Sequence, residues 1–110
     1  MTAHDIAEHA RLLSHTRYAE IIDADQSLIT QASELLPDAG QQTLTSGQLT
    51  WRSLLKLKWN EIRRQMLRDD PHGRLLRSNS PFSRMLGETD PDQRRQLWRQ
   101  AKFELSNRKT

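Results

Sequence analysis

Residues 50–68 read TWRSLLKLKWNEIRRQMLR, and this stretch decides the fold class. Wound at 100° per residue, Trp51, Leu54, Leu55, Trp59, Ile62 and Met66 fall within one broad face, the pattern of an amphipathic helix. The stretch is expected to form one continuous central helix, with Trp51, Leu55, Trp59 and Ile62 at the heart of the core. Lys58 sits within the stripe between Leu54, Leu55 and Ile62. Either its stem covers apolar surface while the ammonium reaches water, or it makes a polar contact that specifies a partner or register. Leu57 and Leu67 lie away from the stripe and are left over by it.

Upstream, residues 3–22 repeat Ala3, Ile6, Ala10, Leu13 and Ile21 at helical spacing, with Thr2 as N-cap and Asp5 three residues on, where the helix dipole favours an acid. Arg17 falls inside this stripe, with the same two readings as Lys58. Residues 26–36 carry Leu28, Ile29, Ala32, Leu35 and Leu36 on one face, and Pro37 with Gly40 ends them. A polar connection, residues 37–49, leads to the central stretch. Downstream, Asp70-Pro71 and Gly73 end it, residues 74–77 form one further turn, and Ser80-Pro81 opens a short helix over 81–86 that Gly87 closes. Asp90-Pro91 repeats that start signal, with Gln93 placed as in a capping box, and the last helix over 91–107 aligns Leu97, Trp98, Ala101 and Leu105. The chain has no Val and no sustained alternation of apolar and polar residues, so strands are not expected. The expected fold is all-α: a small bundle of four principal helices plus a short fifth.

With 110 residues the chain fits a single domain, 1–110, since one core normally takes about 100 to 150 residues. Net charge divides it. Residues 1–50 carry −5, with an acidic helical pair over 1–36, while residues 51–110 carry +8. Such asymmetry fits a basic surface for nucleic acid or an acidic partner, or two halves of one fold that attract each other. The mean hydropathy is −0.85 and no apolar run approaches the roughly 18 residues of a membrane span. Residues 1–22 carry Asp5, Glu8, Arg11, Arg17 and Glu20 where a signal peptide would be apolar, so the expected location is the cytoplasm.

Residues capable of chemistry do not assemble into a motif. The absence of Cys removes disulfides, thiolate metal sites and cysteine nucleophiles together. His4, His9, His15 and His72 lack the three- or four-residue spacing of helical metal ligands and are expected at the surface or its edge. Asp69-Asp70 precede Pro71 and read as a helix stop rather than a catalytic pair, and the four glycines form no phosphate-binding loop. No catalytic residue, metal, cofactor or small-molecule substrate is therefore expected.

What remains is surface. Leu57, Leu67 and Phe103, each off its helix stripe, are expected at a subunit or partner interface, and a homodimer is one way to cover them. Arg94, Arg95, Arg99, Lys102, Arg108 and Lys109 crowd the C-terminal end. Arg95, Arg99 and Lys102 share one flank beside Trp98, a row that fits phosphates or an acidic partner. The order short helix, turn, basic helix over 80–105 resembles a helix-turn-helix, but Gln93 and Gln96 stand where that motif would turn apolar residues inward. The expected function is that of a non-enzymatic protein-protein interaction module, regulatory or adaptor in kind. The rival is a small DNA- or RNA-binding regulator using the basic half.

Overall fold

The stretch over 50–68 does not form one helix. In the computed structural model, which describes residues 2–36 and 44–107, it is divided between α3 (Ser46–Leu54) and α4 (Trp59–Met66). Between them the chain tightens, with Leu57 N–H donating to Leu54 C=O at 2.9 Å, and Lys58 then adopts an extended conformation as the cap of α4. A straight helix of this length would run about 28 Å and spread its apolar face along a line. Broken after Leu55, the stretch brings Trp51, Leu54, Leu55, Trp59, Ile62 and Met66 into one buried cluster. Lys58, which a continuous helix would aim at the core, is exposed instead.

The remaining elements are α1 (Ala3–Ala24), α2 (Ser27–Leu35), α5 (Pro71–Ser78), α6 (Pro81–Leu86) and α7 (Pro91–Asn107). Among the described residues this makes seven helices and no strand, so the all-α expectation holds while the count of four plus one is corrected. Two further corrections explain the difference. Residues 46–49, expected in the connection, open α3, because Thr45 and Gln48 form a capping box: Gln48 N–H donates to Thr45 Oγ1 at 3.1 Å and Thr45 N–H to Gln48 Oε1 at 2.9 Å. The single turn expected at 74–77 is the full helix α5, started by Asp70, whose carboxylate accepts the Gly73 N–H at 2.9 Å, and by Pro71 in the first turn. The helix end expected at Pro37 and Gly40, like Arg108 and Lys109 of the basic cluster, lies outside the described residues.

The other start signals act as their chemistry dictates. Thr2 and Asp5 form a reciprocal capping box on α1 (3.1 and 3.0 Å), and Ser80 Oγ accepts the Phe82 N–H at 3.1 Å on α6. Asp90 accepts from Asp92 N–H at 3.0 Å, but its own N–H donates to Glu88 rather than to Gln93, so the expected capping box is not formed.

The core gathers Tyr18, Ala19 and Ile22 of α1, Ala32 of α2, the six apolar residues of the central stretch, Leu76 of α5 and Phe82 of α6. Trp51 is its anchor: its ring meets Phe82 edge-on at 5.5 Å, and its indole N–H donates to Leu76 C=O at 2.7 Å, satisfying the one polar atom that burial would otherwise orphan. Trp59 donates to Asp23 at 2.6 Å, joining the acidic half to the basic half. The helix α7 packs chiefly on α1 and buries only Ala101 fully.

Candidate functional site

Three regions carry the groups of interest. The first is α7. Residues 95, 99 and 102 recur at helical spacing, so Arg95, Arg99 and Lys102 share a side of the helix turned away from Ala101. All three are exposed, and Trp98, on the flank of that row, is half-exposed. The structure thus groups the four residues expected to contact phosphate or an acidic partner. Arg95 is held by Asp92, an exposed pair whose worth is small.

The second region is the α3–α4 corner. The break after Leu55 leaves Leu57 48% exposed, and with Leu49, 52% exposed, it flanks a groove of about 480 Å³ that Thr50, Ser53, Leu54 and Gln65 complete. Arg52, Lys56 and Lys58 stand on the same segment. The three residues expected at an interface are not brought together: Leu57 lies here, Phe103 is 66% exposed on α7, and Leu67 packs partly buried against the core. Leu67 follows the break and stands as the C-cap of α4, so the spacing of one straight helix does not govern its direction. Leu49 was concealed in the supposed connection, although the Thr45–Gln48 spacing of a capping box was present to reveal it.

The third region is a buried polar layer beneath α1. His9 and His15 were expected at the surface or edge, and both are buried. The face of α1 that meets the core runs through His15, Tyr18, Ala19 and Ile22, whereas Arg17 is exposed, its guanidinium beside a shallow recess formed with Leu86 and Leu97. His9 approaches Glu104 of α7 at 3.5 Å. His15 shares Nδ1 with Arg11 C=O at 2.7 Å, packs edge-on against Tyr18 at 4.9 Å, and leaves Nε2 without a partner. Burial holds its pKa down at about 4, against the 6.5 of a free histidine, and the nearby Arg77 cation acts in the same direction.

Arg77 itself is 2% exposed. Its Nη1 donates to Met66 C=O at 3.0 Å and Arg68 C=O at 2.6 Å, closing the C-terminal end of α4, while Nε is buried without a partner. Desolvation draws its pKa below the usual arginine range. Gly73 lies one turn before it, where a Cβ would meet Arg68 C=O at 1.9 Å and Arg77 Nη1 at 2.9 Å. The Asp70-Pro71 start signal, extended one turn further, would have placed Gly73, Leu76 and Arg77 on one face.

Among the described residues no helix is long and apolar enough to cross a membrane, and no group of three or more His, Cys, Asp or Glu is placed to hold a metal ion. Comparison with known proteins finds no matching family model, no similar curated protein and no similar solved structure.

Proposed function

We propose that this protein is a non-enzymatic helical module that acts by binding another protein, and that the α3–α4 groove is where it does so. The carrying observation is that Leu49 and Leu57, each about half exposed, line one groove beside the corner that divides the central stretch. Burying what is still exposed of the two side chains recovers about 1 kcal/mol each, an increment to a wider contact. Arg52, Lys56 and Lys58 on the same segment select an apolar surface with acidic flanks. A second copy of the chain offers exposed apolar side chains beside acids, Ile21 with Glu20 and Asp23 on α1 and Leu35 with Glu34 on α2. A cytoplasmic, regulatory or adaptor role, with self-association, belongs to the same proposal.

The row Arg95, Arg99 and Lys102 beside Trp98 favours a second reading, a nucleic-acid-binding regulator, because phosphate contacts want just such an exposed cationic track. One comparison separates the two. Affinity capture from native lysate, with and without nuclease, is run with the wild type, a Leu49→Ser/Leu57→Ser variant and an Arg95→Glu/Arg99→Glu/Lys102→Glu variant. Retention that survives nuclease and is lost in the leucine variant is expected. Retention that nuclease abolishes and only the α7 variant loses would transfer the function to the second reading. Sedimentation tests self-association: a concentration-independent monomer, unchanged by Leu57→Ser and Phe103→Ser, refutes the homodimer.

A further inference from the structure

A recess of about 340 Å³ opens where α1, α3, α5 and α6 meet, lined by Arg11, Gln48, Arg77, Ser78, Asn79, Ser80, Ser83 and Arg84. Every one of these side chains is polar, three are arginines, and no carboxylate lines it. Such a wall is ill-suited to an apolar ligand and well-suited to an anion. We propose that this recess binds the phosphate group of a small molecule, at a site separate from both the α3–α4 groove and the basic row of α7.

The arginines are differently committed. Arg11 is held on α1 by Glu8 one turn earlier, so it contributes donors but little net charge. Arg84, exposed on α6, takes part in no ion pair among the described residues. Arg77 lines the recess although only 2% exposed, its guanidinium fixed through Nη1 by two carbonyls while its Nε–H has nothing to donate to. Glu8, Asp69 and Asp70 offset part of its charge through space, but the buried Nε–H has no acceptor, a deficit that an anion reaching it would remove. The guanidinium is already oriented, so little side-chain freedom is lost when it is engaged.

The choice of phosphate follows from geometry and charge. Guanidinium groups match tetrahedral oxyanions in a forked, two-bond geometry, and three guanidinium groups around one recess, Arg84 without an ion pair among the described residues, favour a dianion over chloride or a single carboxylate. The first backbone amide of α6 available for an anion, that of Phe82, is already taken by Ser80 Oγ at 3.1 Å. Recognition therefore rests on side chains, the arginines with the amide of Gln48, since the Ser78 hydroxyl and the Asn79 amide already donate to Leu75 C=O and within α5. The volume is at the lower end of ligand pockets, about 300 to 1,000 Å³, and admits a phosphate with a modest organic group attached. Because the lining comes from four helices, occupancy ties α1 and α3 to the α5–α6 corner and raises stability by mass action.

The test is calorimetric and spectroscopic titration of the full chain with inorganic phosphate and, separately, with adenosine 5′-monophosphate and adenosine, chloride holding ionic strength constant so that screening does not imitate binding. The expected result is saturable one-to-one binding of both phosphates and none of adenosine. The Arg77 Nε–H resonance should shift on saturation and Tm should rise. Arg84→Ala, an exposed change that leaves the fold intact by circular dichroism, should weaken binding at least tenfold, while Arg99→Ala leaves it unchanged. Tighter binding of the nucleotide than of inorganic phosphate would identify an organic phosphate as the ligand; equal binding would identify the phosphate alone. Absence of saturation by about 10 mM phosphate, equal binding by Arg84→Ala, or an unmoved Arg77 resonance overturns the proposal.

Discussion

Lowering the pH from about 7 to about 4.5 should destabilise the protein through His15. The ring is fully buried, which outweighs the support that its Nδ1–H bond to Arg11 C=O gives the imidazolium; Nε2 has no acceptor for a second proton, and Arg77 repels the charge. Its pKa is therefore about 4 in the folded protein against 6.5 when unfolded. Because the folded value is the lower one, the unfolded chain takes up the proton first as pH falls. Stability is undiminished above the unfolded value, drains as pH falls below it, and the loss is complete once pH passes below about 4. At about 1.4 kcal/mol per pKa unit, the loss between pH 7 and pH 4.5 comes to roughly 2 to 3 kcal/mol, a large part of a small domain's stability. The carboxylates Asp5, Glu61 and Asp70 do not blur this window. Hydrogen bonds depress all three, Glu61 to about 2, so their contributions persist above the unfolded values of 3.8 and 4.5 and are lost only below them. Urea unfolding at several pH values measures the slope, and His15→Gln, which cannot titrate, should flatten it whatever it costs at neutral pH. An equal slope in the variant, or a ring that titrates near 6.5 by NMR in the folded protein, would refute the reasoning.

Two further changes probe the core and its support. Ile62→Ala empties a fully buried position at the centre of the cluster and should cost about 2 to 5 kcal/mol in urea unfolding, whereas a loss under about 1 kcal/mol would place Ile62 at a surface. Gly73→Ala would ordinarily gain up to about 1 kcal/mol of helix propensity, but its Cβ meets Arg68 C=O at 1.9 Å, so a net loss of about 2 kcal/mol or more is expected, and a stabilised variant by thermal unfolding would show that α5 does not approach the end of α4 this closely.

Legibility differed from element to element. The capping pairs Thr2/Asp5, Ser80-Pro81 and Asp90-Pro91 mark helix starts where α1, α6 and α7 begin, because a cap is made by neighbours within one turn. The row Arg95, Arg99 and Lys102 was legible for the same reason, its alignment depending only on helical spacing along an unbroken helix. The sides of Leu67 and Lys58 do not follow from helical spacing, because the helix is broken between Leu54 and Trp59. His15 and Arg77 were illegible altogether. Polar residues are usually exposed, and what buries these two is their neighbours in space, from elements tens of residues away.

The amino-acid sequence by itself determined that the protein is helical, where α1, α6 and α7 start, and that Trp51, Leu55, Trp59 and Ile62 would be buried. These properties rest on periodicity and capping, interactions that span at most four residues. Tertiary structure alone decided that the central stretch breaks between Leu54 and Trp59, that Leu49 and Leu57 line one groove, and that the buried Arg77 lines a polar recess. The physical reason is the same in each case. A helix is stabilised more by the apolar face it buries than by its own propensity, so where a helix stops, and which way its side chains then turn, follows from the neighbours it packs against.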